Sequence, residues 1–176
     1  YYDIVACSNI TDYIVSEAFF DDLRTIQQMG YKTYTHLNNI GVNRYQIYGQ
    51  VFCVQSPHTK VSNAKEITEK IKDFVYRYHQ KLLDVSEEEI STVRQSYIKK
   101  ITEPNKDVLK DAHDDNEDIM YGDLYYKEKL IDAAQLVTKA NIVSHYEKYF
   151  LEHKGRWIIE INGNAVNEES NVKTQN

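Results

Sequence analysis

The chain has 176 residues, enough for one domain with a packed core and too few for two comfortable ones. Apolar residues make up 41% and charged residues 27%, a globular rather than a disordered composition. The formal net charge of −6 argues against nucleic acid or an anionic membrane as a partner, and no apolar run is long enough to cross a bilayer.

Residues 3–28 read as a helix, with Ile4, Ile10, Ile14 and Ala18 at helical spacing and Phe19, Leu23 and Ile26 widening the stripe. Gly30 is expected to end it as a left-handed cap. Two strands follow, 31–37 and 45–55, with Asn38, Asn39 and Gly41 suited to the turn of an antiparallel hairpin. In the second strand Tyr45, Ile47, Val51 and Cys53 face one way, and Gln46, Tyr48, Gln50 and Phe52 the other. Ser56-Pro57 breaks that strand. A long amphipathic helix then runs to about residue 83 on a face of Ile67, Ile71, Phe74, Val75, Tyr78 and Leu82.

Ser86 with Glu89 three residues on predicts a capping box, and the helix it opens should bury Ile90, Val93, Tyr97 and Ile101. Pro104 stops it. Further helices are expected over 105–121, closed by Gly122, over 124–131, and over 139–151, the last capped by Thr138 with Val137 stapled onto Ile142. Residues 156–161, with Trp157, Ile158, Ile159 and Ile161, read as a strand. The polar stretch 163–176 reads as a disordered tail, leaving 1–162 as the folded domain.

This order implies an α+β fold, an antiparallel sheet layered with several helices. Three strands make a thin sheet, and 156–161 is apolar on both faces. The expected sheet is therefore incomplete, with partner strands N-terminal to Tyr1. An open edge of that kind is a template for pairing with a second copy, so a homodimer through the sheet edge is expected. Cys7 and Cys53 do not make a disulfide framework; they read as structural thiols in a reducing compartment, which points to the cytoplasm. Residues 1–20 lack the basic start of a signal peptide. The 15 tyrosines, Tyr78, Tyr97 and Tyr146 among them, read as core packing with a polar tip near water.

Zinc peptidase chemistry needs two histidines on one helical face and a carboxylate base. His36, His58, His79, His113, His145 and His153 belong to no H-E-x-x-H or H-x-x-E-H motif. His113 and Glu117 share a helix face, but a solvated acidic helix bearing one histidine is the commoner arrangement and is the reading taken. No nucleophile elbow, P-loop or C-x-x-C pair occurs. Glu87, Glu88 and Glu89 suit a helix first turn without any catalytic role. The residues thus assign neither a metal ligand nor a catalytic base to this chain.

One segment carries more information: Leu23-Arg24-Thr25-Ile26-Gln27-Gln28-Met29-Gly30-Tyr31. Read by itself it is a surface cation near a helix end, a cap and a strand start. It resembles the L-R-x-x-x-Q-x-G-Y signature in the C-terminal half of the insulin-degrading enzyme and pitrilysin family, matched at Leu23, Arg24, Gln28, Gly30 and Tyr31. The likeness extends over most of residues 4–161, through Val54-Gln55-Ser56, the Ser86-capped helix, the break at Pro104 and the end at Tyr149-Phe150. Lys32-Thr33-Tyr34-Thr35 is more polar than a well-buried strand of that family.

The resemblance implies four similar α+β domains in two halves that close around a chamber. The first carries zinc, and this chain looks like the last, without its first strands. It implies a parent metalloendopeptidase in which zinc activates water while the cofactor and base lie outside this chain. The partners implied are the N-terminal half of the same polypeptide and peptide substrates. Arg24 would offer a cation to a substrate carbonyl or developing oxyanion, and Tyr31 a hydroxyl. Such donors can contribute about 3 kcal/mol. Gly30 would supply the turn that aims both. The competing reading is an inactive scaffold subunit of the same fold, which has no need of the Arg24 and Tyr31 pair.

Overall fold

The computed structural model describes residues 1–40, 47–57, 63–103, 125–152 and 156–162. The expected helix over 105–121, the turn at Gly41, Pro104, His58, His113, Glu117, Gly122, His153 and the tail over 163–176 lie outside the described residues.

Helix α1 (Tyr2–Phe19) runs through the centre of the molecule and buries Val5, Ala6, Ile10, Val15 and Phe19. It passes directly into a wider π-helical segment, Phe20–Ile26. One helix was expected over 3–28. The wider turn changes which residues face inward: Leu23 remains buried, while Ile26 is carried into solvent. Ile4, also expected in the core, is exposed at the outer face of the first turn, and Val5 takes the inward position.

Strands β1 (Lys32–Ile40) and β2 (Ile47–Gln55) form an antiparallel pair from Lys32 opposite Gln55 to Ile40 opposite Ile47. Asn38 and Asn39 were expected in the turn, but they lie in the ladder opposite Gly49 and Tyr48. The alternation of β2 holds, and its even-numbered face packs on the helices. Phe52 meets Phe19, Phe74 and Phe150 edge-on or tilted at ring separations of 5.1, 6.5 and 6.0 Å. Thr35 of β1 has a structural reason to be polar. Thr35 Oγ1 and Gln50 Nε2 both donate to Asp12 Oδ1 of α1, at 3.1 and 2.5 Å, so polar side chains dock the sheet on the helix. On the opposite face Tyr34 stacks on His36 at 5.8 Å.

Helix α2 (Ala64–Asp84) buries Phe74, Val75, Tyr78 and Leu82, the expected stripe. Helix α3 (Glu87–Thr102) opens with the expected capping box: Glu89 N donates to Ser86 Oγ at 3.1 Å, and Ser86 N to Glu89 Oε2 at 2.7 Å. Ile90 and Tyr97 are buried, and burial pushes the Tyr97 phenol well above its ordinary range. Helix α4 (Tyr126–Gln135) starts and ends later than expected. Helix α5 (Lys139–Tyr146) is capped by Thr138, with Asn141 completing the box, and gives way to a second π-helical segment, Glu147–Leu151. Val137 and Ile142 are both buried in the same core cluster. Tyr146 stacks on Phe150 at 4.4 Å and donates its hydroxyl to the Val75 carbonyl at 2.9 Å.

Residues 156–162 are not the expected strand: among the described residues they pair with no other strand. They lie along the start of α2, where Thr68 Oγ1 donates to Glu160 and Ala64 N to the Asn162 side chain. Trp157, Ile159 and Ile161 are 90, 82 and 83% exposed, so nothing described covers them. The described sheet therefore has two strands, and the class is α+β. No helix among the described residues is long and apolar enough to cross a membrane.

Candidate substrate-contacting turn

Residues 27–31 join the first π-helical segment to β1. The chain reverses there through Gln28, whose φ of 52° is left-handed. The cap expected at Gly30 is thus displaced by two residues. A left-handed non-glycine residue costs about 1 kcal/mol or more, so other bonds must hold it. Gln27 N donates to the Asp22 carbonyl at 2.9 Å, and Met29 N to the Leu23 carbonyl at 2.8 Å. From the other side Tyr31 N donates to the Gln55 carbonyl at 2.9 Å, and Ser56 Oγ donates to the Met29 carbonyl.

Gly30 is required for closeness rather than for handedness. A Cβ there would overlap the Gln55 carbonyl oxygen and stand 2.9 Å from its carbon and 3.3 Å from Ser56 Cα. All three are backbone atoms that cannot rotate away. The turn thereby lies flush against the end of β2.

Arg24 and Tyr31 are brought together by this turn. Arg24 Nη1 donates to the Gly30 carbonyl at 2.6 Å, and the guanidinium lies 5.5 Å from the centre of the Tyr31 ring. One of the five guanidinium N–H donors is used in that bond. Tyr31 is 77% exposed. Arg24, Gly30 and Tyr31 line an open depression of about 520 Å³ together with Phe20, Thr25, Gln28 and Pro57. Phe20 also borders a second depression, of about 400 Å³, lined by Tyr13, Glu17 and Tyr34.

Sequence reasoning missed Asp22 and Arg77. Asp22 is buried behind the turn; its Oδ1 accepts from Gln27 Nε2 at 3.1 Å and its Oδ2 from Arg77 Nη2 of α2 at 2.7 Å. The two lie 55 residues apart, and no local pattern links them.

The described histidines do not assemble a metal site. His79 pairs with Glu147 at 2.9 Å, His36 sits in the Tyr34 stack, and His145 Nε2 lies 3.4 Å from Ser8 Oγ. Burial, then Lys148, lowers the His145 pKa to about 4. Among the described residues no three His, Cys, Asp or Glu side chains converge on a point that suits a metal ion. Cys7 and Cys53 are free thiols; burial raises Cys7 to about 11, so it is a poor nucleophile.

Residues 10–115 match the family described as PQQ synthase PqqF-like, C-terminal lobe domain 4. The chain belongs to that family. It is also 25% identical over 173 residues to the A-factor-processing enzyme of Saccharomyces cerevisiae, covering 96% of this chain and 16% of that protein. The crystal structure of pitrilysin superposes with a TM-score of 0.75 over 86% of this chain and 16% of that one, at 22% identity, which shows a shared fold. This PqqF-like domain thus spans about a sixth of the length of the relatives it matches. The resemblance read from Leu23, Arg24, Gln28, Gly30 and Tyr31 is borne out at the level of the family: the chain is a PqqF-like C-terminal lobe domain with the fold seen in pitrilysin.

Proposed function

We propose that this chain is a non-catalytic domain of a zinc-dependent metalloendopeptidase. On this reading residues 1–162 form one wall of a closed chamber and 163–176 a tail. Arg24 and Tyr31 are presented to the substrate peptide. The observation that carries the reading is the Arg24–Gly30–Tyr31 turn, which sets a guanidinium and an exposed phenol side by side on the rim of an open depression. Arg24, on the π-helical segment, is tied to the Gly30 carbonyl, and Tyr31 stands on a turn bonded to two elements, so little reorganisation is needed when charge develops on a carbonyl oxygen nearby. Zinc, when bound, supplies Lewis acidity and an activated water from the N-terminal half of the same polypeptide. The part of this chain is to hold the peptide and to donate toward its carbonyl oxygens. The two free thiols suit a reducing, cytoplasmic setting, and the sheet edge left unpaired among the described residues suits pairing with a second copy.

The test is peptide cleavage by the full-length protein with Arg24→Ala and Tyr31→Phe. Loss of a preorganised donor lowers kcat by on the order of 10²- to 10³-fold, so a fall of that size for Arg24→Ala is expected with the fold intact. Unchanged turnover in both variants would make the domain a passive wall. A wild-type protein with neither activity nor bound zinc would make it a scaffold.

A further inference from the structure

Among the described residues, Asp22 with Arg77 is the one Lys or Arg ion pair that joins two separate elements; the other two such pairs lie within α2. The Asp22 side chain is only 12% exposed, whereas Arg77 is 44% exposed. A carboxylate that far from water is costly unless paired and hydrogen-bonded. Arg77 meets that need from across the fold, and Asp73, one turn earlier on α2, orients it by accepting from Nε at 2.7 Å. The second Asp22 oxygen holds the Gln27 side chain, and the Asp22 carbonyl holds the Gln27 amide. Gln27 is the residue from which the chain enters its left-handed step at Gln28.

We propose that the Asp22–Arg77 ion pair is a positioning device for Arg24, an inference that rests on the substrate-contacting role proposed above. Neither residue lines the depression, so neither touches substrate there. Asp22 acts through the turn: it fixes Gln27, Gln27 sets the entry to Gln28, and the turn then delivers the Gly30 carbonyl to Arg24. Helix α2 thereby fixes the position of a cation it does not contact. Freed from Arg77, Asp22 would draw toward water and release Gln27, and Arg24 would lose the carbonyl that aims it.

The experiment uses the full-length protein with Asp22→Asn and, separately, Arg77→Gln. The second replaces a half-exposed side chain on the surface of α2 and so retains the fold if the first does not. Two readouts are taken in parallel: hydrogen exchange at the Met29 and Tyr31 amides, and kcat and KM for peptide cleavage in wild-type and Arg24→Ala backgrounds. Losing a charged hydrogen bond should speed exchange at these amides about tenfold, with the α2 core amides unchanged. A sub-ångström displacement of Arg24 should lower kcat by about tenfold with KM within about twofold. In the Arg24→Ala background the same substitutions should lower kcat no further. Unchanged exchange at both amides overturns the proposal, as does a fall in kcat that persists in full without Arg24. Wild-type turnover in Arg24→Ala alone refutes the substrate-contacting role instead, and exchange then decides by itself whether the ion pair holds the turn.

Discussion

Gly30→Ala is the sharpest test of how the turn is built. The added Cβ would collide with the Gln55 carbonyl oxygen, 2.9 Å from its carbon and 3.3 Å from Ser56 Cα, and none of these atoms belongs to a movable side chain. The turn and the end of β2 must separate. That puts at risk the bond from Tyr31 N to the Gln55 carbonyl at 2.9 Å and the bond from Ser56 Oγ to the Met29 carbonyl. Two hydrogen bonds at about 1 kcal/mol each, with about 1–3 kcal/mol for forced overpacking, give a loss of about 3–5 kcal/mol. Urea denaturation at constant m-value measures it. Gly49→Ala is the internal control: no atom lies within 4 Å of its added Cβ, so the same substitution there should be neutral or stabilise by up to about 1 kcal/mol. A Gly30→Ala loss below about 0.5 kcal/mol, the range of ordinary surface changes, would refute the close approach.

His145 should make the fold acid-sensitive. Its folded pKa of about 4 lies below the ordinary 6.5, so on acidification the unfolded chain takes up the proton first. The contribution is fully present above pH 6.5 and is lost as pH falls toward 4; between pH 7.5 and 5 the loss is about 2 kcal/mol. Denaturation across that range should show it in the wild type and not in His145→Gln. Tyr146→Phe removes a buried donor to the Val75 carbonyl. Because that carbonyl lies mid-helix and has its own backbone partner, the cost should be only about 1 kcal/mol by urea midpoint. Ser86→Ala removes the acceptor of the Glu89 amide at the start of α3 and should cost about 1 kcal/mol by thermal denaturation.

What the sequence made legible was local. The α2 stripe from Phe74 to Leu82 and the caps at Ser86 and Thr138 follow from patterns a few residues long, and each is found. The π-helical turn after Phe19 was not legible, because helical spacing continues through Leu23 and only Ile26 falls off the face. Residues 156–161 carry an apolar pattern that suits a strand. A strand is also a matter of partners, and the pattern names none; Glu160 and Asn162 instead bond to the start of α2. The polar character of Thr33 and Thr35 was read as a departure from a buried strand. Thr33 is buried all the same, and Thr35 reaches Asp12, a residue 23 positions away in another element.

The site shows the same division. Arg24, Gly30 and Tyr31 were visible in the motif, but their geometry depends on groups outside it: the Gln55 carbonyl, the Ser56 hydroxyl and Arg77. These come from β2, from the break after it and from α2, and they converge only once the helices have packed. A left-handed Gln28 could not be read from its residue type, since glutamine has no preference for that conformation and Gly30 stood nearby as the obvious candidate. Gly30 packs against β2 without a left-handed φ, the reversal occurs two residues earlier, and Gln28 bears the backbone cost. The turn is therefore held by the fold around it rather than by its own sequence. An Arg24 aimed by three separate parts of the chain has less freedom than a surface arginine, which is the property a donor to a developing oxyanion requires.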